Sequence, residues 1–302
     1  MRCVRLLFAS LLSAAVGLAA DAIQVPVWSP DGAALSAQSL AAAVDGAPAE
    51  VLNVHSPTDD LMLLVVLDLT EDLAAVEQAR AALLSRIGTL APNQYVAVFS
   101  AQNGLRVLAE PTGDRTAAAS AIRSQQVGGR AGLLETIERS AQIGSSIIQK
   151  SGVRLAVLYL TDSNVNNYRE ALDNPTINQS DGGDVSRRAD SLVRERIARM
   201  TASLARTQAP VFISHLSYRN DALNVAYQTG LIALAAATGG TTTVARSVAE
   251  IPDAINATLD HILGHYSVTL AVAIPGKKVA VTLEDQAGGS LDYRSSFVLG
   301  GN

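Results

Sequence analysis

The sequence predicts an α/β fold: a doubly wound, mostly parallel sheet, with a small β-rich subdomain formed by the N- and C-terminal segments. Two continuous apolar runs carry the first part of that expectation. Leu61-Met62-Leu63-Leu64-Val65-Val66-Leu67 stops at Asp68-Leu69-Thr70-Glu71-Asp72, and Arg154-Leu155-Ala156-Val157-Leu158-Tyr159-Leu160 stops at Thr161-Asp162-Ser163. Such runs suit strands covered on both faces. Through the middle of the chain strands alternate with helical patterns, which argues for helices on both sides of a parallel sheet. Both ends instead carry short alternating stretches broken by Pro, Gly and Asp, the texture of antiparallel strands.

Residues 1–20 are set apart from the fold. Arg2 and Arg5 form a basic start, Leu6 to Leu18 a short apolar stretch, and Gly17-Leu18-Ala19-Ala20 offers small residues for cleavage after Ala19 or Ala20, the pattern of a secretory signal peptide. The stretch is shorter than the roughly 20 residues a spanning helix needs, and no second candidate follows. A secreted or periplasmic protein without a membrane span is therefore expected. The division is a signal peptide at 1–20, an N-terminal β-rich segment at 21–58, an α/β domain at 59–264 and a C-terminal β-rich segment at 265–302.

In the first segment Ile23 to Trp28 alternates, Pro30-Asp31-Gly32 and Val44-Asp45-Gly46 turn, and Val51 to Val54 reads as a strand. The middle then predicts strand 61–67, helix 73–87, strands 94–100 and 105–109, helices 114–124 and 133–149, strand 153–161, helix 185–207, strand 210–216, helix 222–238, strand 241–245 and helix 248–264. Helix 185–207 carries Asp190/Arg194 and Glu195/Arg199 four apart, a solvated face with weak pairs. Strands at 266–272, 278–283 and 292–299 close the chain, and their pairing with the N-terminal strands would build the subdomain. Ser163 to Asp184 is long for a strand-to-helix connection and rich in Asn, Asp, Gly and Ser, so it is expected to overhang the edge where Asp68 lies.

Composition removes several functions. The only cysteine, Cys3, precedes the apolar stretch, so disulfides, zinc–thiolate sites and cysteine nucleophiles are excluded from the mature chain. The formal charge is −5, more negative once Arg2 and Arg5 leave, and no basic stripe with interleaved aromatics suits nucleic acid. Gly128 to Gly132 lacks the G-K-[ST] ending of a P-loop, which argues against nucleotide. No G-x-S-x-G elbow surrounds Ser145, Ser146 or Ser151, and His261 and His265 lack the glutamate of a zinc peptidase helix. Asn178 and Asn256 lie in glycosylation patterns, the second on a predicted helix. A hydrolase would need a named base or nucleophile, and none emerges.

Ligands of open α/β sheets bind at the carboxyl ends of the strands. Asp68, Thr70, Asp72 and Asp162 gather oxygen there, suited to Mg²⁺ or Ca²⁺, and the same oxygens suit the capping of a helix beginning near 73. These residues resemble the metal-ion-dependent adhesion site of the von Willebrand factor type A (VWA) domain, written D-x-S-x-S after the first strand. A threonine from a Gly-rich loop and an aspartate after the fourth strand complete that site. Asp68, Thr70 and Asp162 match. Asp72 stands for the second serine, and in Gly128-Gly129-Arg130-Ala131-Gly132-Leu133-Leu134-Glu135 the alanine at 131 stands for the threonine, which removes a metal ligand.

The resemblance extends to bacterial secreted VWFA-related proteins through Ala43-Val44-Asp45-Gly46-Ala47-Pro48, Ala237-Thr238-Gly239-Gly240 and His265-Tyr266-Ser267-Val268. It implies a Rossmann-like sheet and a non-enzymatic module that binds a protein partner. Asp68, Thr70, Asp72 and Asp162 would form a degenerate Mg²⁺ or Ca²⁺ site, and Gly129, Arg130, Ser163, Asn164, Asn166, Asn167 and Tyr168 would line the contact surface. The alternative is a structural or assembly protein whose α/β domain is a metal-free scaffold and whose β-rich ends make the contacts.

Overall fold

A computed structural model describes residues 21–164, 182–272 and 278–299. The expected signal peptide, Asn166, Asn167, Tyr168 and Asn178 lie outside the described residues. The strands are β1 (Asp21–Trp28), β2 (Leu40–Val44), β3 (Ala47–Pro48), β4 (Val51–His55), β5 (Leu61–Asp68), β6 (Gln94–Ser100), β7 (Arg106–Thr112), β8 (Arg154–Thr161), β9 (Val211–His215), β10 (Thr242–Val244), β11 (Tyr266–Val272), β12 (Lys278–Asp285), β13 (Asp292–Tyr293) and β14 (Ser296–Val298). The α-helices are α1 (Leu73–Gly88), α2 (Arg115–Ser124), α3 (Leu133–Ser151), α4 (Gly182–Leu204), α5 (Ala222–Thr238) and α6 (Ile251–Leu263).

The central sheet has the order β10-β9-β8-β5-β6-β7, parallel except for β7, which runs antiparallel to β6. Helices cover both faces, and the two apolar runs divide accordingly. Leu61, Leu63, Val65 and Leu67 of β5 join Ala156, Leu158 and Leu160 of β8 in one core beneath α1, α2 and α6. Leu64 and Val66 join Leu155, Val157 and Tyr159 in the other, against α3, α4 and α5. Alternate residues point to opposite faces, so a run buried on both sides must be apolar throughout. The chain leaves β5 toward β6 on one side and returns at β8 on the other, so strand order reverses between β5 and β8. That is the switch point where doubly wound sheets open a crevice.

The terminal segments pair as expected. β1 runs antiparallel to β11, with Asp21 opposite Val272 and Val27 opposite Tyr266. β2 pairs with β12. Ile23, Val25, Val27, Leu40, Val268, Leu270, Val279, Val281, Leu283 and Phe297 form a third core between the two small sheets. This subdomain sits at the amino ends of the parallel strands. The Gln24 amide bonds the carbonyls of Gly152 and Val153, and the Arg294 guanidinium bonds those of Thr207 (2.6 Å) and Ala205 (2.5 Å) while lying 4.0 Å over Phe297. Gly239, at φ 86°, closes the junction: a Cβ there would stand 2.9 Å from Pro26 Cγ and 3.1 Å from Arg294 Cβ.

Three expectations need adjustment. The strand expected at 292–299 is two, β13 and β14, in different sheets, broken where Arg294 turns inward to reach those carbonyls. The helix expected at 248–264 begins as a 3₁₀ turn at Val248–Glu250, with Pro252 in the first turn of α6. The strand expected at 105–109 continues to Thr112 as the antiparallel sheet edge, where Pro111 is tolerated.

Candidate binding edge

Asp68 ends β5 and lies opposite Thr161 of β8, so the two acidic turns emerge side by side at the switch point. Asp68 and Asp162 are both buried. Buried carboxylates need donors on every side. For Asp68, Oδ1 accepts from the Gly132 N–H (2.7 Å), and Oδ2 accepts from the Tyr159 hydroxyl (3.1 Å) and the Thr161 hydroxyl (3.3 Å). The Tyr159 hydroxyl also meets Thr136 Oγ1 at 2.5 Å. Burial, then the charge of Asp68, raises the tyrosine well above its ordinary pKa, so it stays a neutral donor.

Asp162 reaches back across the switch point into the turn before α1. Its Oδ1 accepts from the Thr70 N–H (2.7 Å) and hydroxyl (3.3 Å), and its Oδ2 from the N–H groups of Glu71 (2.8 Å) and Asp72 (3.0 Å). Successive backbone N–H groups just ahead of a helix form an anion site, reinforced by the helix dipole. Here the chain fills that site with its own carboxylate. Asp72, exposed, then caps α1, its Oδ1 accepting from the N–H groups of Ala74 and Ala75 at 3.0 Å.

The neighbouring loops are tied to this clasp. Gln102 donates to the Leu69 and Gln126 carbonyls. Asn103, at φ 56°, accepts from the Arg130 N–H at 3.0 Å, and its own N–H donates to the Arg130 carbonyl at 2.9 Å. These bonds hold Gly129 and Arg130 beside the switch point. Gly132 packs so closely that a Cβ would meet the Ala101 carbonyl oxygen and Thr136 Oγ1 at 2.6 Å. Ala131, where the resembling family has threonine, carries no oxygen, and among the described residues no group of three or more His, Cys, Asp or Glu is placed to hold a metal ion.

Ser163 and Asn164, expected on the contact surface, are buried instead. The Ser163 hydroxyl meets Thr161 Oγ1 (2.5 Å) and the Tyr227 hydroxyl (3.3 Å), and its carbonyl accepts from His215 Nε2 at 2.8 Å. The ring therefore serves the backbone carbonyl, not the hydroxyl, and the pair is not arranged as nucleophile and base. Burial lowers the His215 pKa, which keeps the ring neutral. Asn164 donates to Glu71 Oε2 at 2.8 Å, and the Arg219 guanidinium lies 3.7 Å from the same oxygen. Exposed Tyr218, with Arg246 5.8 Å over its ring, extends the surface past β9.

Sequence reasoning missed Tyr159, Gln102, Asn103, His215 and Arg219. Two of them left a signal. A tyrosine inside a doubly covered strand must find a partner for its hydroxyl, and Asn103-Gly104 marks a turn with positive φ.

The chain is similar to von Willebrand factor type A domains. The von Willebrand factor type A protein from Catenulispora acidiphila is 13% identical, with 93% of this chain and 75% of that one covered and a TM-score of 0.44. The SpRpn10 VWA domain is 12% identical, covering 66% of this chain and 95% of that one, with a TM-score of 0.43. The vWF domain of the type V pili tip protein Mfa5 from Porphyromonas gingivalis is 10% identical, covering 68% and 95%, with a TM-score of 0.43. No protein-family model and no curated protein matches the chain.

Among the described residues no helix is long and apolar enough to cross a membrane. His261 and His265 lie at the far end of the sheet. The His261 ring stacks on Trp28 at 4.3 Å, and His265 is buried, one of its ring nitrogens 2.5 Å from the Ile262 carbonyl oxygen.

Proposed function

We propose that the chain is a secreted or periplasmic, non-enzymatic module that binds a protein partner at the switch-point edge, and that this edge is organised by Asp162 without a resident cation. The observation that carries the reading is the clasp itself: both Asp162 oxygens are engaged by the turn at residues 70–72. The residues present do not fit a hard cation. Thr70 donates its hydroxyl to Asp162, Asp72 is engaged as the cap of α1, and Ala131 offers no oxygen. Ca²⁺ takes six to eight oxygens, more than this set can supply, and Mg²⁺, which keeps several waters, still needs a carboxylate that is not already taken up by N–H and O–H donors as those of Asp68 and Asp162 are. What remains for a partner is an exposed rim of Glu71, Asp72, Arg130, Tyr218 and Arg219.

A photo-crosslinker placed in turn at Glu71, Arg130 and Tyr218, with Ser85 on α1 as control, tests the reading in the producing cell. The same adduct at the three rim positions and not at Ser85 is expected, weakened by Arg219→Glu. Adducts independent of position, or an adduct set unchanged by Arg219→Glu, would end it.

The second reading, contacts through the β-rich ends, has one observation in its favour. β4 lies at the outer edge of its sheet, and Leu52 on it is 49% exposed. Under that reading Leu52→Asp abolishes assembly while Arg219→Glu does not.

A further inference from the structure

α5 turns an unusual face to solvent. Tyr227, Leu231, Leu234 and Ala235 are buried against the sheet, while Ala222, Val225, Thr229, Ile232 and Ala236 are exposed, Val225 at 40% and Ile232 at 50%. The exposed positions are spaced 3, 4, 3 and 4, the repeat of a helix-pairing seam. The Thr229 hydroxyl donates to the Val225 carbonyl at 2.8 Å, so its polar group is satisfied within the helix. None of the 17 residues of α5 is charged, whereas every other described α-helix carries at least two charged residues. A solvated helix face is ordinarily polar, so an uncharged seam of this length points to something that covers it.

We infer that α5 is the interface between two copies of this chain, paired antiparallel about a two-fold axis at Thr229. Two observations select a second copy over an unrelated partner. First, the seam reads Ala-Val-Thr-Ile-Ala, small-large-medium-large-small from either end. A two-fold axis at its centre sets Val225 beside Ile232 of the second copy and Ala222 beside Ala236 of the second copy, the self-complementarity an isologous contact requires. Second, a chain of formal charge −5 repels its own copy, and an isologous contact brings like charges together. The uncharged helix is where that repulsion is least. A charged partner would find nothing on this face to read.

α5 follows the loop after β9, so it starts at the candidate binding edge and runs to the opposite end of the sheet. Antiparallel pairing therefore points the two edges in opposite directions. One helix face gives a contact near the lower limit of stable interfaces, about 1,000 Å² in total, so the association is expected to be micromolar.

Sedimentation velocity of the purified protein over a wide concentration series, from about 1 to about 300 µM, tests this directly. A reversible monomer–dimer equilibrium is expected. Ile232→Glu and Val225→Glu should each weaken it at least about tenfold, while Ser85→Glu on α1 leaves it unchanged. Both seam positions are exposed, so the variants should melt with the wild type, which separates loss of pairing from loss of fold. A monomer throughout the series, or a dimer that survives both seam variants, would overturn the inference.

Discussion

At the scale of single residues, buried charged and titratable groups hold the molecule together, and each leaves a measurable signature. Arg154, at the start of β8, is fully buried, and its guanidinium donates to the carbonyls of Leu263, His265, Pro57 and Asp59 at 2.8–3.2 Å. Burial brings its pKa down to about 10, still high enough to keep it charged. A lysine cannot bond four carbonyls in one plane, so Arg154→Lys should lower unfolding free energy by about 2–4 kcal/mol in urea titrations. His265 makes the opposite prediction for pH. Burial first, and then the charge of Arg154, brings its pKa from 6.5 to about 3. Above 6.5 the ring is neutral in both states. As pH falls from 6.5 toward 3, the unfolded chain takes up a proton that the folded chain refuses, and stability falls by about 1.4 kcal/mol per pH unit for this group. Urea midpoints from pH 7 to pH 4 should decline, and His265→Gln should decline less steeply by about one proton. Identical slopes would remove His265 from the account. Neither residue is legible in advance. Arg154 looks like the polar start of an apolar strand, because its four acceptors are backbone carbonyls from distant segments.

At the scale of elements, most of the α/β framework can be read from periodicity, since doubly buried strands tolerate only apolar side chains and amphipathic helices flank them. The misreadings fall where tertiary contacts override local pattern. β13 and β14 separate because Arg294 is drawn into the junction with the loop at 205–207, a preference no alternation of apolar residues encodes. The acidic turn after β5 could be read from the sequence both as cation ligands and as caps for the helix near 73, and for Asp72 the cap is what the structure has, whereas the reach of Asp162 across to residues 70–72 left no local signal. Asp72 replaces a serine of the resembling motif, and its observed work is to cap α1. Asp72→Ala should therefore cost about 1 kcal/mol of stability, while Asp72→Asn, which caps as well, should cost almost nothing with or without Mg²⁺. Equal losses for the two variants, appearing only with the ion present, would assign the carboxylate to a metal instead.

At the scale of the whole molecule, the two ends of the sheet have separate tasks. The amino ends of the strands are sealed by the β-rich subdomain, in which β11 lies between β1 and β4 and supplies Val268, Leu270 and Val272 to its core. Removing residues 265–302 would therefore open that core. At the carboxyl ends the turns of β5 and β8 are locked to each other by one carboxylate. That pairing was partly readable: the ordered occurrence of Asp68, Thr70 and Asp162 gives the location, but the direction in which Asp162 points depends on the reversal of strand order between β5 and β8. The most direct test of the central claim is a thermal unfolding titration of the wild type and of Asp162→Ala with Mg²⁺, Ca²⁺ and Mn²⁺, against a chelator. A cation bound only by the folded state at a hundred times its Kd would add about 2.7 kcal/mol and raise the midpoint by several degrees. A clasp that works without a cation predicts no shift with any ion, and a midpoint lowered in Asp162→Ala equally with ion or chelator. A midpoint that rises with one ion in the wild type and not in Asp162→Ala would contradict it.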